Sequence, residues 1–170
     1  MKWRLLLQPD LPGYRQMAID EALYVSLKPH SVPVLRFYTW ESPTLSLGYF
    51  QDYKRVVSEP FSVHNNICVV RRPTGGRAVL HQFEITYAVV APLEDEFKNL
   101  SLRETYQLIS RALNLALQHL GIIESSISTE TSIPRERQAP QCFVTTSPFE
   151  ITYDAREAIG SAQKRSRDRF

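Results

Sequence analysis

Arg71-Arg72-Pro73-Thr74-Gly75-Gly76-Arg77-Ala78-Val79-Leu80-His81 lies between two short apolar runs, Ile67-Cys68-Val69-Val70 and Ile85-Thr86-Tyr87-Ala88-Val89-Val90. Runs this short and rich in β-branched residues predict buried strands. The stretch between them is then the tip of a strand–loop–strand unit, with residues 67–71 and 84–90 expected as neighbours in one sheet. Gly75 and Gly76 permit positive φ and close approach to the main chain, and the arginines set fixed positive charge beside exposed N–H groups. Such a tip suits a phosphate or a polarised carbonyl. On spacing alone a plain hairpin turn is the simpler reading.

Outward from this unit, residues 33–40 and 44–49 read as strands on either side of the turn Glu41-Ser42-Pro43, and the N-terminal residues as a first strand. Residues 12–28 predict a helix whose apolar face is Tyr14, Ala18, Ala22 and Val25. Ser101-Leu102-Arg103-Glu104 is a capping box. It opens a helix with an apolar stripe of Leu102, Ile109, Leu113, Ala116, Leu117 and Leu120, stopped at Gly121. Residues 124–141 are polar and interrupted by Pro134 and Pro140, a loop long enough to suggest function. Residues 149–154 alternate as a half-buried strand does, and residues 158–163 suit its hairpin partner. Strands outnumber helices and appear linked as hairpins. The expected class is therefore α/β (α+β): a mixed, mainly antiparallel sheet with helices packed on it.

A chain of 170 residues can bury a proper core, and residues 1–170 are expected to form a single domain. The net charge of +2 gives no electrostatic reason for a nucleic-acid partner. No apolar run approaches the ~20 residues of a membrane span, and the N-terminal apolar stretch is too short for a signal peptide. A cytoplasmic protein with no membrane partner is expected. Two cysteines are too few for a disulfide framework, and His30, His64, His81 and His119 are too scattered for a metal site. The basic run Lys164-Arg165-Ser166-Arg167-Asp168-Arg169 reads most simply as a solvated end.

The wording Arg72-x-Thr74-Gly75-Gly76-Arg77-Ala78-Val79-x-His81 resembles the signature loop of the biotin/lipoate protein ligase and transferase family. Three further stretches resemble it in the right order: Met17-Ala18-Ile19-Asp20-Glu21-Ala22-Leu23, Ser42-Pro43-Thr44-Leu45-Ser46-Leu47-Gly48 and Ile159-Gly160-Ser161-Ala162-Gln163. The resemblance covers nearly the whole chain. It implies the catalytic fold shared by biotin and lipoate ligases and class II aminoacyl-tRNA synthetases. Relatives usually continue past the Gly-Ser-Ala-Gln segment, so C-terminal elements are expected to be lacking.

The resemblance also implies chemistry. In the branch that moves octanoyl or lipoyl groups between proteins, a cysteine placed like Cys142 holds the acyl chain as a thioester. The donor is then an acyl carrier protein, and the acceptor a lysine of a lipoyl domain or of the glycine-cleavage carrier protein. Thioester exchange is nearly isoenergetic and divides one hard step into two without ATP. Backbone N–H groups near Gly75-Gly76 or Gly160-Ser161 suit the oxyanion of each tetrahedral intermediate. Arg72, Thr74, Gly75, Gly76, Arg77, Ala78, His81, Gly160, Ser161 and Ala162 are the expected substrate-binding set. No tightly bound cofactor is expected, the octanoyl or lipoyl group being a substrate. Residues 35–38, 45–49 and 79–80 are expected to line an apolar tunnel for the acyl chain. Cys68, inside an apolar run, reads as core.

One departure falls at the site. Family members carry a lysine just before the Gly-Ser-Ala strand, and this chain has Glu157 there, in Asp154-Ala155-Arg156-Glu157. A carboxylate would raise a nearby thiol's pKa and repel a developing oxyanion. Lys164 or Arg156 is an alternative source of charge. Two other readings therefore stay open: an ATP-dependent lipoate–protein ligase, which alone would require ATP and Mg²⁺, and a catalytically inert relative that binds an acyl chain or lipoyl domain.

Overall fold

The computed structural model describes residues 2–128, 149–154 and 156–170. The chain divides into two compact units, Met1–Asn99 with Gln163–Phe170, and Leu100–Ala162.

The first unit holds two three-stranded sheets. One runs in the order β1 (Arg4–Leu11), β2 (Val34–Trp40), β6 (Thr86–Val90), with β1 parallel and β6 antiparallel to β2. The other places β3 (Thr44–Leu47) between β4 (Cys68–Arg71), its parallel neighbour, and β5 (Val79–His81), its antiparallel neighbour. Helix α1 (Gly13–Ser26) packs on β2, β4 and β6. Two short helices, α2 (Tyr53–Val56) and α3 (Glu59–His64), join β3 to β4. The second unit contains α4 (Leu102–His119) and an antiparallel sheet in the order β7 (Ser126–Ile127), β8 (Ile151–Tyr153), β9 (Arg156–Ile159). The fold is mixed α/β as expected, antiparallel throughout except at β1–β2 and β3–β4.

The strands flanking the Gly75-Gly76 loop are not neighbours. β4 and β6 belong to different sheets, against expectation. The intervening β5 has only three residues, and the sequence reading absorbed it into the loop. Because β5 returns to β3, the loop bridges the two outer strands of a sheet across the end of its central one, and it is no hairpin.

Helix α1 turns the opposite way from its apolar pattern. Tyr14, Ala18, Ala22 and Val25 are all exposed, whereas Gly13 and Gln16 are buried. The cause is Arg36 of β2, fully buried with Gln16. Its guanidinium donates to Asp20 at 2.5 Å, to the Gln16 carbonyl at 3.2 Å, and to the side-chain oxygens of Gln16 and Gln8. It also lies 3.9 Å from the Tyr38 ring centroid, and the Tyr38 hydroxyl donates to Asp20 at 2.7 Å. A buried charge demands this much compensation, so α1 turns its polar residues inward. Burial lifts the Asp20 carboxyl above its ordinary value, with Arg36 and Tyr38 limiting the rise.

In α4 the capping box is present, Ser101 Oγ accepting from Glu104 N and Glu104 accepting from Ser101 N. The buried positions are Thr105 and Ser110, with Ile109, Leu113 and Leu117 half-buried beside them. Leu102, Ala116 and Leu120 of the expected stripe are exposed. Ser110 is inside because its hydroxyl donates to the Phe149 carbonyl at 2.6 Å.

The basic C-terminal run is only in part a solvated end: Ser166, Arg167 and Asp168 are exposed, but its two ends are docked. Lys164 Nζ lies 4.8 Å from the Tyr24 ring centroid, and Arg169 donates to the Tyr24 and Val25 carbonyls, which close α1. Phe170 is buried against Phe97, and its main chain exchanges two hydrogen bonds with Ala91.

Candidate functional site

β4 ends in Arg71, and Arg72 follows it directly. Arg71 Nη1 donates to the carbonyls of Gly48, Tyr49 and Gln51, at 2.8, 3.0 and 2.8 Å, and so holds the turn after β3. Arg72 holds the glycine loop. Its Nη2 donates to the Gly75 and Arg77 carbonyls at 2.8 and 2.6 Å, Nε to Thr74 Oγ1 at 3.2 Å, and Nη1 to the Ser46 carbonyl at 2.9 Å. Tyr49 N donates to the Thr74 carbonyl at 2.9 Å, joining the two loops.

The glycines have separate reasons. Gly76 has φ of 90°, which side chains rarely adopt. A Cβ on Gly75 would meet nothing within 4 Å, so this residue leaves open space on its outer side. Ala78 is buried and anchors the loop's exit.

His81 is 8% exposed and belongs to a connected polar chain. Its Nε2 lies 2.7 Å from Ser46 Oγ, and its Nδ1 2.6 Å from Glu84 Oε1. Ser46 Oγ also accepts from Arg72 Nη1 at 3.2 Å. Glu84 Oε1 accepts from Thr86 Oγ1 at 2.9 Å, and Thr86 Oγ1 from Trp40 Nε1 at 2.7 Å. The Trp40 ring stacks on the imidazole, centroids 4.2 Å apart and planes 16° from parallel. Burial pushes the Glu84 carboxyl up, but the His81 hydrogen bond and charge, with Thr86 and Trp40, bring it below its ordinary value. The sequence reading named Arg72 and His81 but missed Arg71, Trp40, Ser46, Glu84 and Thr86. Ser46 and Thr86 were visible as polar residues interrupting apolar runs.

In the second unit, β9 ends at Ile159, so Gly160, Ser161 and Ala162 follow the hairpin instead of forming its second strand. The turn comes early, with Asp154 at φ 49° and Arg156 already paired with Tyr153. Glu157 carries two shielded carboxylate oxygens that have no hydrogen-bond partner among the described residues. Burial, reinforced by the charge of Glu150, pushes its carboxyl up to about 7. Cys142 lies outside the described residues. Lys164 stands in the first unit, 5.9 Å from the Tyr49 ring centroid, and Arg156 is exposed. An open groove of about 340 Å³ is lined by Leu7, Pro9, Phe37, Tyr38 and Ile85 among others, and shares only Phe37 and Tyr38 with the expected acyl-chain lining. Among the described residues, no helix is long and apolar enough to cross a membrane.

Residues 12–170 match the family model described as the lipoyl protein ligase A/B catalytic domain. The chain belongs to that family. It is 44% identical over 167 residues to octanoyltransferase LipM of Carboxydothermus hydrogenoformans, covering 98% of this chain and 61% of that protein. It is 34% identical over 171 residues to octanoyltransferase LipM of Bacillus subtilis, covering 97% and 61%. The chain thus spans about three fifths of the length of these curated relatives. Among solved structures, lipoate-protein ligase A bound with ATP superposes with a TM-score of 0.78 at 27% identity, over 99% of this chain and 64% of that one. A T. acidophilum protein with bound lipoic acid gives the same TM-score at 26% identity, over 99% and 65%. Family membership therefore stands although β4 and β6 lie in separate sheets. The expected pairing of residues 67–71 with residues 84–90 is what the structure overturns.

Proposed function

We propose that this chain is the catalytic part of a protein acyltransferase, with both units belonging to one catalytic domain. It moves an octanoyl or lipoyl group from an acyl carrier protein to a lysine of a lipoyl domain or glycine-cleavage carrier protein. The observation that carries this reading is the 44% identity to an octanoyltransferase across 98% of the chain. The braced glycine loop supports it, because fixed main-chain donors suit an acyl oxyanion better than mobile ones.

In this reading Cys142 attacks the carrier thioester, the carrier thiol departs with a proton, and the acyl-enzyme thioester forms. The acceptor amine then attacks that thioester, amide formation drives the step, and the Cys142 thiol is regenerated. Arg72, Thr74, Gly75, Gly76, Arg77, Ala78 and His81 shape the acyl-carbonyl site, with Gly160, Ser161 and Ala162 contributing. Glu157 occupies the position of the family lysine. A cytoplasmic setting, where acyl carriers are found, accords with the reading.

Likeness to an ATP-bound lipoate-protein ligase supports a second reading, ligation with ATP and Mg²⁺. The unpartnered, partly buried Glu157 favours a third, an inert binder of acyl chain or lipoyl domain. Intact-mass spectrometry after mixing the chain with octanoyl-acyl carrier protein, without ATP, separates all three. A hydroxylamine-labile gain of one octanoyl group supports transfer. Octanoylation of a lipoyl domain only with octanoate, ATP and Mg²⁺ selects ligation. Neither reaction selects the binder.

A further inference from the structure

We infer that Glu84 is a positioning residue: it fixes the tautomer of His81 and, through Ser46 and Arg72, the shape of the Gly75–Arg77 loop. The chemistry of the donors sets a direction along this chain. A guanidinium only donates, so Ser46 Oγ accepts from Arg72 Nη1. An ionised carboxylate only accepts, so the proton between His81 and Glu84 belongs to Nδ1. In the neutral imidazole Nε2 is then an acceptor, and the Ser46 hydroxyl donates to it. A second line of donors, from Trp40 through Thr86, ends on the same oxygen, Glu84 Oε1. Two lines converging on one carboxylate oxygen leave a single self-consistent arrangement of protons.

The order Ser46–His81–Glu84 superficially matches the nucleophile–base–acid triad of a hydrolase. Ser46 is 0% exposed and already accepts from Arg72, so no substrate carbonyl reaches its oxygen. The relay reaches the loop through Arg72, whose guanidinium holds the Gly75 and Arg77 carbonyls. Without Glu84, the imidazole is free to place its proton on Nε2. Ser46 Oγ must then accept from the imidazole as well as from Arg72 Nη1, and its own proton loses its acceptor, which disturbs the Arg72 contact next to the loop.

For the loop's purpose this inference rests on the acyl-transfer reading, but its test uses no acyl chemistry. The ring nitrogens of His81 are observed by two-bond ¹H–¹⁵N NMR at mildly alkaline pH, assigned by the loss of signal in H81Q. The expected wild-type form is Nδ1–H. E84Q keeps an acceptor and should keep that form, with Gly75, Gly76 and Arg77 amide exchange within about twofold of wild type. E84L should release the tautomer and speed exchange at those three amides about tenfold or more, while amides of β1 and β2 keep their rates. An Nε2–H wild type overturns the inference, as does an E84L variant with unchanged tautomer and loop exchange, or one accelerated equally everywhere. If E84L does not fold, the wild-type and E84Q tautomers decide alone, and Nε2–H in either is fatal. Failure of acyl transfer with these NMR results intact would count against the function and not against the relay.

Discussion

The carbonyl oxygen of Gly76 stands 1.9 Å from where a Cβ on Gly48 would be built. The turn after β3 and the glycine loop therefore touch main chain to main chain, and any side chain at residue 48 must push the loop away. Gly48→Ala should cost about 1–3 kcal/mol, as overpacked sites do. Thermal melting and amide exchange at residues 74–77 read this out. Gly75→Ala keeps the carbonyl that Arg72 holds, meets open space and should change stability by less than about 0.5 kcal/mol. On the acyl-transfer reading, the same methyl narrows the approach to the loop's donors, so acyl-enzyme formation should fall while the melting temperature holds.

Arg36 makes the first unit intolerant of losing Asp20. Removing the carboxylate leaves a guanidinium with no exposed surface and no counter-charge. Asp20→Ala should cost about 3–5 kcal/mol, measured by urea unfolding. Replacing Glu21, exposed on the neighbouring turn position, should stay within about 0.5 kcal/mol.

Glu157 should give the second unit a reversed pH profile. Its carboxyl is raised from 4.5 to about 7 by burial and by Glu150. The folded form thus binds a proton that the unfolded form releases between those values, and stability falls as pH rises through this window. With the residue only partly buried, the discounted effect is about 1–2 kcal/mol. Glu157→Gln should flatten the melting-temperature profile between pH 4.5 and 7 and exceed wild type above it. A profile unchanged by the substitution rejects the assignment.

If Glu157 replaces a cation that once served Cys142, Glu157→Lys should lower the thiol pKa. A fall of about one unit gives up to tenfold more thiolate below that pKa. The pH dependence of iodoacetamide labelling at Cys142 measures it, and an unchanged or upward-shifted profile counts against the idea.

The two cysteines should separate cleanly. On the transfer reading, Cys142→Ser abolishes the hydroxylamine-labile acyl-enzyme. Cys68 sits half-buried in β4 opposite Thr44, so Cys68→Ser should act mainly on stability. Intact mass and melting temperature on both variants check the pair.

What could be read from the sequence was whatever is written locally. The capping box of α4 needs only Ser101 and Glu104, and both hydrogen bonds are present. The loop's importance is carried by adjacent glycines and arginines. The inward face of α1 could not be read, because periodicity counts apolar residues and Arg36 draws its acceptors from Gln8, Gln16 and Asp20, scattered over two elements. Residues 67–71 and 84–90 were paired wrongly for a related reason. An apolar run announces burial but not a partner, and the three-residue β5 that takes the place is too short to show a period. Likewise His81 was legible as a motif residue, whereas Glu84 and Trp40 matter only through contacts with it.

The cluster around Arg36 also acts as an alignment pin. Parallel strands with apolar outer faces can slide by two residues and keep the same face inward, since Leu5 and Leu7 oppose Leu35 and Phe37 with similar bulk. Such a slide would carry Gln8 away from the guanidinium and leave the buried Arg36 Nε–H without its acceptor, a penalty that an apolar mismatch does not carry. The polar cluster thus serves accuracy of assembly more than strength. An all-apolar replacement of Arg36, Gln16, Asp20 and Gln8 should be able to match the native stability while losing the single alignment of β1 on β2.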